Sequence, residues 1–555
     1  MSNTRSLVTA ITALCLAGCS ASSSVVPIER TGVDVVELSV SEAAERLADG
    51  RLTSVELTRA YLARIAAVDD DGPTLDAVIE LDAAALAVAA ERDRERAAGE
   101  VRGPLHGIPV LLKDNIDVVG LVNSAGSLAL AEHRPKTDAF LVKRLRQAGA
   151  VILGKTNLSE WANFRSDHSI SGWSSRGGQT RNPYVLDRNP CGSSSGTGSA
   201  IAASLAAVGV GTETDGSIIC PAAVAGLVGL KPTVGVVSRR GIIPISVSQD
   251  TAGPMGRSVR DVALLMDALA GVDLADPAGA AAQGRIAADH GSGLTADALR
   301  GRRIGVLRQA MGFHPGVDAA MDRSIELLRA AGAEVVDANV EGYRSWSAHE
   351  FEVLLYEFKH GLDDYLRESG APIGSLAALI EWNERHRSTV MSLFSQETFE
   401  KAQAKGPLTE PVYLQAKESA RRLAGESGLL KTLDGARLDM LIAPSTAPAW
   451  IIDPVLGDHF LGAGYGMAAV AGTPSLTVPM GEVSGLPVGL TFMARAYAEA
   501  DLLAWGYAFE QASRSRRAPT YRSTVPLKPQ VEAVDQGRRS GAVDLRAGAG
   551  QRRCR

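Results

Sequence analysis

The chain has 555 residues, of which 45% are apolar and 22% charged; this predicts a folded protein of two to four domains, or one large α/β enzyme domain, and excludes a disordered chain. Its 57 Lys and Arg residues against 63 Asp and Glu give a net charge of −6, which disfavours nucleic acid as a partner. The sequence has no repeat of fixed period, so a solenoid or propeller is not predicted.

The N-terminal segment has the features of an export signal. Arg5 precedes an apolar run from Leu7 to Leu16, which is too short to span a bilayer but suits a secretory signal. The run ends in Leu-Ala-Gly-Cys19, which resembles a bacterial lipoprotein signal. We therefore expect residues 1–18 to be a signal peptide and Cys19 to be lipidated, giving an exported protein that is periplasmic or anchored to the outer membrane. Cleavage near Ala21 with free secretion, or an uncleaved anchor, are the alternatives.

Strands and helices alternate through the first part of the body. Thr53-Ser-Val-Glu56 is a capping box that predicts the start of a helix, and an Ala-rich helix is expected from Asp82 to Gly99. Such alternation favours an α/β fold with a largely covered sheet. The strands predicted here are Ile108–Leu112, Val151–Gly154, Val208–Gly211, Ile304–Leu307, Glu334–Val336 and Met440–Ile442, with helices at Asp138–Ala148, Gly198–Ala207 and Val317–Ala331.

Three later segments differ in composition from the body. The segment from Asp273 to Arg300 is rich in Ala, Gly and Asp and is predicted to be a surface excursion. Residues 348–435 have mostly helical patterns and many charged residues, which indicates a cap or helical insertion. Residues 524–555 form a Gly- and Arg-rich tail that is predicted to be disordered and solvated rather than a nucleic-acid arm.

The chemistry is concentrated between Asn189 and Pro232, where two Ser/Gly clusters bracket a short apolar helix. Such clusters expose hydroxyls and backbone N–H groups, although either one alone is more often a simple capping loop. A phosphate-binding loop requires Gly-Lys-Ser/Thr, and no lysine stands there. Gly192-Ser-Ser-Ser-Gly196 matches the nucleophile elbow of α/β-hydrolases, but Pro190 indicates a loop where the elbow needs a strand.

A lysine upstream of these clusters is the other candidate for chemistry. Lys113 closes the apolar run that begins at Gly107. Burial at the end of such a strand favours the neutral amine, which can act as a general base. The alternative is an ion-paired strand terminus, and Lys155 and Lys231 are rival lysines that we expect to be structural.

The cysteines do not predict a disulfide framework. With Cys15 and Cys19 assigned to the signal region, Cys191, Cys220 and Cys554 remain, an odd number without dense spacing. Cys191 and Cys220 are expected to be small buried thiols. A bridge between them stays open if the protein is exported.

Four motifs follow one another along the chain: Leu105-His-Gly-Ile-Pro-Val-Leu-Leu-Lys113-Asp-Asn, Gly154-Lys-Thr-Asn-Leu-Ser-Glu160, Gly192-Ser-Ser-Ser-Gly196 and Thr212-Glu-Thr-Asp-Gly-Ser217. Together they resemble the amidase signature family, and in particular its bacterial peptide amidases. The resemblance extends over residues 37–513, the predicted amidase domain, with residues 348–435 as its insertion. It implies an α/β fold with a central mixed, twisted β-sheet covered by helices on both faces.

The resemblance also implies a mechanism. Ser217 would be the nucleophile, and Ser193, after a cis Gly192–Ser193 peptide bond, would pass its proton to neutral Lys113. The backbone N–H groups of Thr214, Asp215, Gly216 and Ser217 would form the oxyanion hole. No metal or organic cofactor is expected.

Two positions depart from the broad family pattern. Asp215 stands where glycine is usual and Ile219 where arginine is usual. Both changes resemble the peptide amidase branch, but they make it unsafe to transfer substrate specificity from the wider family.

The expected activity is hydrolysis of primary amides at peptide C-termini with release of ammonia, so the expected partner is a peptide or small-molecule amide. The alternative is hydrolysis of aryl-acylamides or amino-acid oligomers by the same residues. Two other functions are less favoured: membership of a tRNA-modifying amidotransferase complex, which the export signal opposes, and a catalytically idle binding role, which the presence of all three catalytic side chains opposes. The sequence does not predict the oligomeric state.

Overall fold

A single mixed sheet of eleven strands forms the centre of the computed structural model, which describes residues 32–526. The predicted signal peptide, Cys19 and most of the tail lie outside the described residues. The strands of the chain are β1 (Val78–Leu81), β2 (Pro109–Lys113), β3 (Val151–Thr156), β4 (Trp173–Ser174), β5 (Gly178–Gln179), β6 (Val208–Glu213), β7 (Val228–Lys231), β8 (Thr251–Gly256), β9 (Arg303–Leu307), β10 (Glu334–Ala338), β11 (Met440–Pro444), β12 (Ser475–Val483) and β13 (Leu486–Met493).

The sheet order is β1-β3-β2-β6-β8-β7-β12-β13-β11-β9-β10, and β4 and β5 pair separately. Strands β3, β2 and β6 are parallel, as are β11, β9 and β10, whereas the strands between these two groups are antiparallel. Every residue of β2, β3, β6, β7, β8, β11 and β13 is buried. Because successive side chains of a strand point to opposite faces, this burial requires cover on both faces of the sheet. The predicted mixed α/β fold is thereby confirmed.

Helices supply that cover. They are α1 (Val40–Ala48), α2 (Ser54–Ile65), α3 (Ala85–Ala97), α4 (Phe140–Gln147), α5 (Ser195–Ala202), α6 (Ile219–Val224), α7 (Val259–Leu269), α8 (Pro277–Ala281), α9 (Pro315–Ala330), α10 (Ser347–Ser369), α11 (Leu376–Arg385), α12 (Arg387–Val390), α13 (Glu397–Gln403), α14 (Pro411–Arg421), α15 (Lys431–Gly435), α16 (Gly466–Ala471) and α17 (Glu499–Ser513). None of the helices within residues 32–526 combines the length and the apolar character needed to cross a bilayer.

Local sequence signals explain several of these elements. The capping box at the start of α2 is formed, because Thr53 Oγ1 accepts the Glu56 N–H at 3.1 Å while the Glu56 carboxylate accepts the Thr53 N–H at 2.9 Å. Helix α5 was predicted over Gly198–Ala207 but begins earlier, inside the Ser cluster, and ends at Ala202. The chain turns just beyond its end, since Ser204 has a positive φ of 59°.

The segment 273–300, which we expected to be a surface excursion, is anchored at its start. Asp273 and Asp276 are buried. The Asp273 carboxylate accepts the Ser238 hydroxyl at 2.7 Å, and Asp276 accepts the Arg239 backbone N–H at 2.9 Å. The rest of the segment contains only the five-residue helix α8 and turns.

Between β10 and β11 the chain leaves the sheet and forms the helices α10 to α15, which correspond to the predicted helical insertion. Side chains from α10, α11 and α13 pack with Ile243, Ile245 and Trp161, which belong to the body of the protein, in one apolar cluster. The helical segment thus lies against the loops that surround the candidate catalytic residues described next.

Candidate active site

Lys113 is the last residue of β2 and is completely buried. Its Nζ donates to Ser193 Oγ at 2.7 Å, to Thr212 Oγ1 at 2.9 Å and to the Thr212 carbonyl at 3.2 Å. Burial lowers the pKa of Lys113 to about 7, against the opposing charges of Glu213 and Asp250. A substantial fraction of the amine is therefore neutral near pH 7, as a general base requires.

Ser193 lies in the loop that leads into α5, and the Gly192–Ser193 peptide bond is cis. Gly192 is packed so closely that a Cβ there would fall 2.2 Å from Ser159 Oγ. The Ser193 carbonyl accepts the Ser159 N–H at 3.1 Å. Ser159, which follows β3, thus holds the backbone of both Gly192 and Ser193 in place.

Ser217 lies between β6 and α6, and its carbonyl accepts the Ser194 N–H at 3.2 Å. Ser193 and Ser217 line the same cavity. In residues 32–526, Ser193 Oγ and Ser217 Oγ form no hydrogen bond with each other. The structure therefore brings Lys113 into contact with Ser193 and places Ser217 on the same cavity as Ser193. The two serine hydroxyls are not hydrogen-bonded to each other.

Residues 214–217 form a tight turn that Glu213 organises. The Glu213 carboxylate accepts the N–H groups of Ile218 at 2.7 Å and Ile219 at 2.9 Å, just beyond the turn. Gly216 has a φ of +85°, and a Cβ on it would fall 2.1 Å from the ring of Tyr465. Within the described chain, the N–H groups of residues 214, 215 and 217 donate to no protein acceptor, so they remain available to bind an anion.

The other candidate bases among the described residues, the remaining lysines and the histidines, do not hydrogen-bond to the two serines. Lys155 is buried with its Nζ 3.3 Å from Asp114 Oδ1, and Lys231 donates to the Pro232 carbonyl. Neither lysine contacts Ser193 or Ser217, and no histidine of residues 32–526 hydrogen-bonds either serine. The residues before Ser193 form a loop rather than a strand, as Pro190 predicts, so the site lacks the strand that a nucleophile elbow requires.

The two positions that depart from the family pattern have different environments. Ile219 is fully buried in the main apolar core. Asp215 is exposed and lies beside Glu350, which is buried and accepts Gln249 Nε2 at 3.0 Å. Desolvation by the surrounding protein raises the pKa of both carboxyl groups, and the charge of Glu213 adds to the rise at Asp215 while the charge of Asp215 adds to the rise at Glu350. The hydrogen bond between the two side chains lowers the pKa of Asp215 and raises that of Glu350, so the shared proton is favoured on Glu350.

The expectation of two free thiols is wrong. Cys191 and Cys220 form a disulfide bond, with their Cα atoms 6.0 Å apart. Cys191 lies two residues before Ser193, and Cys220 lies three residues after Ser217. The bond therefore ties together the two loops that carry the candidate catalytic serines.

The cavity beside the serines has a volume of about 30 Å³. Several of its residues were not identified from the sequence. Asn115 Nδ2 donates to Thr212 Oγ1 at 3.0 Å, and Asp250 accepts the Thr214 hydroxyl at 2.5 Å. The lining residues are Asn115, Ala162, Ser193, Thr212, Glu213, Thr214, Ser217, Arg239, Ile242, Ile243, Pro244, Ile245, Asp250 and Thr251.

Comparisons of the sequence and the structure with known proteins all lead to the amidase family. The sequence model of the family described as Amidase matches residues 56–503. A probable amidase of Arabidopsis thaliana is 37% identical over 501 residues, which cover 88% of this chain and 92% of the relative. A glutamyl-tRNA(Gln) amidotransferase component of Roseiflexus castenholzii is 36% identical over 509 residues, covering 86% of this chain and 96% of the relative. The crystal structure of native peptide amidase from Stenotrophomonas maltophilia is 54% identical, with a TM-score of 0.84, covering 87% of this chain and 99% of that chain.

Proposed function

This chain belongs to the amidase signature family and is a hydrolase of amide carbon–nitrogen bonds; from that premise we propose that it removes the C-terminal amide of peptides and releases ammonia. The observation that carries the chemistry is the completely buried Lys113, with a pKa near 7 and its Nζ 2.7 Å from Ser193 Oγ. The similarity to a solved peptide amidase along nearly its whole length supports the choice of substrate.

In the proposed mechanism, Ser217 attacks the amide carbon. Its proton passes to Ser193, and the Ser193 proton passes to neutral Lys113. The open link between the two hydroxyls closes when the substrate enters, as catalytic hydrogen bonds often do only in the bound complex. The protonated lysine then returns the proton through Ser193 to the departing nitrogen, and water repeats the cycle on the acyl-enzyme.

The negative oxygen of each tetrahedral intermediate binds the turn of residues 214–217. The support for this role is the set of unengaged N–H groups there, together with the Glu213 carboxylate that fixes the turn from behind. Preorganised donors of this kind stabilise developing charge without reorganising during the reaction, and losing one typically costs about 10²–10³ in rate.

A panel of substrates tests the proposal. The purified protein is offered amidated peptides, anilides and amino-acid oligomers, and both ammonia and amine release are measured. We expect ammonia release from peptide amides to dominate. Faster cleavage of the anilides or oligomers would instead assign the alternative aryl-acylamidase or oligomer-hydrolase activity, which the same residues can perform.

We also propose that the protein is exported and lipidated at Cys19. The Cys191–Cys220 disulfide supports export, because such bonds persist in oxidising compartments. Metabolic labelling with a fatty-acid analogue tests the lipidation: the label is expected in the wild-type chain and lost in Cys19→Ser. Label that remains in Cys19→Ser would contradict the assignment of this residue.

A further inference from the structure

We propose that Gln249 and Glu357 are positioning residues: from the helical insertion, they hold the turn of residues 214–217 in the shape that binds the negative oxygen. This inference rests on the proposed function, which gives that turn its role. The connection runs from helix α10 through the loop of residues 245–250 to Thr214, the first residue of the turn.

Thr214 is held at two points by residues 249 and 250. Gln249 Nε2 donates to the Thr214 carbonyl at 3.3 Å, and the Asp250 carboxylate accepts the Thr214 hydroxyl at 2.5 Å. The Thr214 carbonyl and the Asp215 N–H belong to one planar trans peptide unit, in which they point in opposite directions. By fixing the carbonyl, Gln249 therefore fixes the direction of one of the proposed oxyanion donors.

The Gln249 side chain is itself held in one orientation. It is 3% exposed, and its Nε2 also donates to Oε1 of Glu350, a buried residue of α10, at 3.0 Å. Only the NH₂ end of the side-chain amide can donate, so both contacts require the same orientation. Without this donor, the Thr214 carbonyl and the Glu350 carboxyl group would each lose a partner, and the peptide unit of residues 214 and 215 would be free to rotate.

Glu357, also on α10, holds the other part of the same loop. It lies seven residues after Glu350, and residues at this spacing lie on one face of a helix. The Glu357 carboxylate is 1% exposed and accepts the Ser246 hydroxyl, the Ser248 hydroxyl and, at 2.9 Å, the Ser248 N–H. Asp250 accepts the Ser246 N–H at 2.9 Å. The loop is thus fixed at one end to α10 and at the other to Thr214.

The position of these two side chains separates their effect from substrate contact. Thr214 and Asp250 line the cavity beside the serines, whereas Gln249 and Glu357 do not. An effect of either residue on catalysis must therefore pass through the turn. Oxyanion donors bind the tetrahedral intermediate more strongly than the planar substrate, so a misdirected donor lowers kcat and leaves KM unchanged.

The test uses two substitutions that keep side-chain size. Gln249→Met removes the donor, and Glu357→Gln removes the charge that accepts the loop. We expect Gln249→Met to lower kcat about 10–100-fold and Glu357→Gln about tenfold, each with KM within about twofold of the wild type. Glu397→Gln is the matched control, because Glu397 on α13 likewise accepts a serine hydroxyl and a backbone N–H, those of Ser166 and Asp167. Its kcat should stay within about twofold of the wild type.

A second measurement examines the turn without hydrolysis of any amide. A peptide aldehyde forms a bond between its carbonyl carbon and Ser217 Oγ, its C=O π bond breaks and leaves the charge on oxygen, and the hydroxyl proton passes through Ser193 to Lys113. The same peptide ending in an alcohol cannot form this adduct. In both variants, the inhibition constant of the aldehyde should rise by the factor by which kcat falls, while that of the alcohol stays within about twofold.

Each outcome decides the inference. Unchanged kcat in folded Gln249→Met and Glu357→Gln overturns it, as does an equal loss in Glu397→Gln or an equal weakening of aldehyde and alcohol. If Glu357→Gln does not fold, Ser248→Ala, which removes one hydrogen bond to Glu357, replaces it with an expected loss of about threefold in kcat.

The inference and the proposed function can fail separately. A wild-type enzyme that hydrolyses anilides or oligomers and no peptide amide refutes the proposed substrate, and the aldehyde series still decides whether the two residues position the turn. A wild-type enzyme that binds the aldehyde no more tightly than the alcohol refutes both.

Discussion

Replacing Thr212 by valine is expected to shift the pH dependence of the enzyme towards acid. Thr212 Oγ1 is one of three acceptors around Lys113 Nζ, at 2.9 Å, and valine removes it while keeping the side-chain shape and the backbone carbonyl. A hydrogen bond to a charged group contributes about 1.5–3 kcal/mol. The neutral amine keeps part of that interaction, so the ammonium form loses on the order of 1.4 kcal/mol relative to it, equivalent to about one pH unit.

The sign follows from the role of the lysine. Only neutral Lys113 accepts a proton, so activity is present above its pKa and lost as the pH falls through it. For the wild type, with a pKa of about 7, kcat/KM should decline on the acid side of neutrality. For Thr212→Val the decline should begin about one pH unit lower, with a lower plateau because a weaker base accepts the proton less readily.

The assay is ammonia release from one amidated peptide between about pH 5 and 9, at substrate concentrations well below KM. Thr398→Val is the control, since Thr398 is also buried, lies on α13, and donates its hydroxyl to Asp167 rather than contacting Lys113. The reasoning is refuted if the acid limb of Thr212→Val stays in place or moves towards alkali, or if Thr398→Val shifts it by as much.

Four further changes test the site. Ser217→Ala should abolish turnover, by at least about a thousandfold, with an unchanged circular dichroism spectrum; retention of a tenth of the activity would remove Ser217 as nucleophile. Lys113→Ala should lower kcat almost as far while the protein stays folded, which its circular dichroism spectrum checks. Gly216→Ala, whose Cβ would collide with the neighbouring tyrosine ring, should reduce kcat by about 10²-fold or more; near-normal kcat would show that the turn does not bind the oxyanion. Opening the Cys191–Cys220 bond, which closes a segment with a sequence separation of 29, should lower the free energy of unfolding by about 3–4 kcal/mol in urea titrations of oxidised and reduced protein; equal midpoints would contradict this.

The sequence alone was sufficient to predict those helices and strands whose own residues carry a clear apolar or capping pattern. The apolar run before Lys113 became β2, displaced by one residue, and the capping box became the start of α2. Strand β8 was missed, because Thr-Ala-Gly-Pro-Met-Gly lacks the β-branched alternation that indicates a strand. It forms because β6 and β7 pair with it on either side, and that pairing is a tertiary effect.

The residues of the candidate site also differ in how far the sequence alone could predict them. Lys113, Ser193 and Ser217 could be selected as candidates from motifs that resemble a known family, and Lys113 also because it closes an apolar run. Thr212 and Asn115 could not, since their contacts with each other and with Lys113 join positions 97 and 99 residues apart. The disulfide was missed because two cysteines alone do not reveal whether folding brings them together.

The residues proposed to carry the proton and the apolar residues of the cavity wall belong to different parts of the architecture. Lys113 and Thr212 are on β2 and β6, adjacent parallel strands at which Leu112 pairs with Val210. The apolar part of the cavity wall comes from residues 242–245, of which Ile243 and Ile245 pack against the helical insertion. Exchange of these wall residues would leave Lys113 and Thr212 in place, because the sheet holds both of them. A designer seeking a different amide substrate should therefore build libraries at this wall and leave the strands untouched.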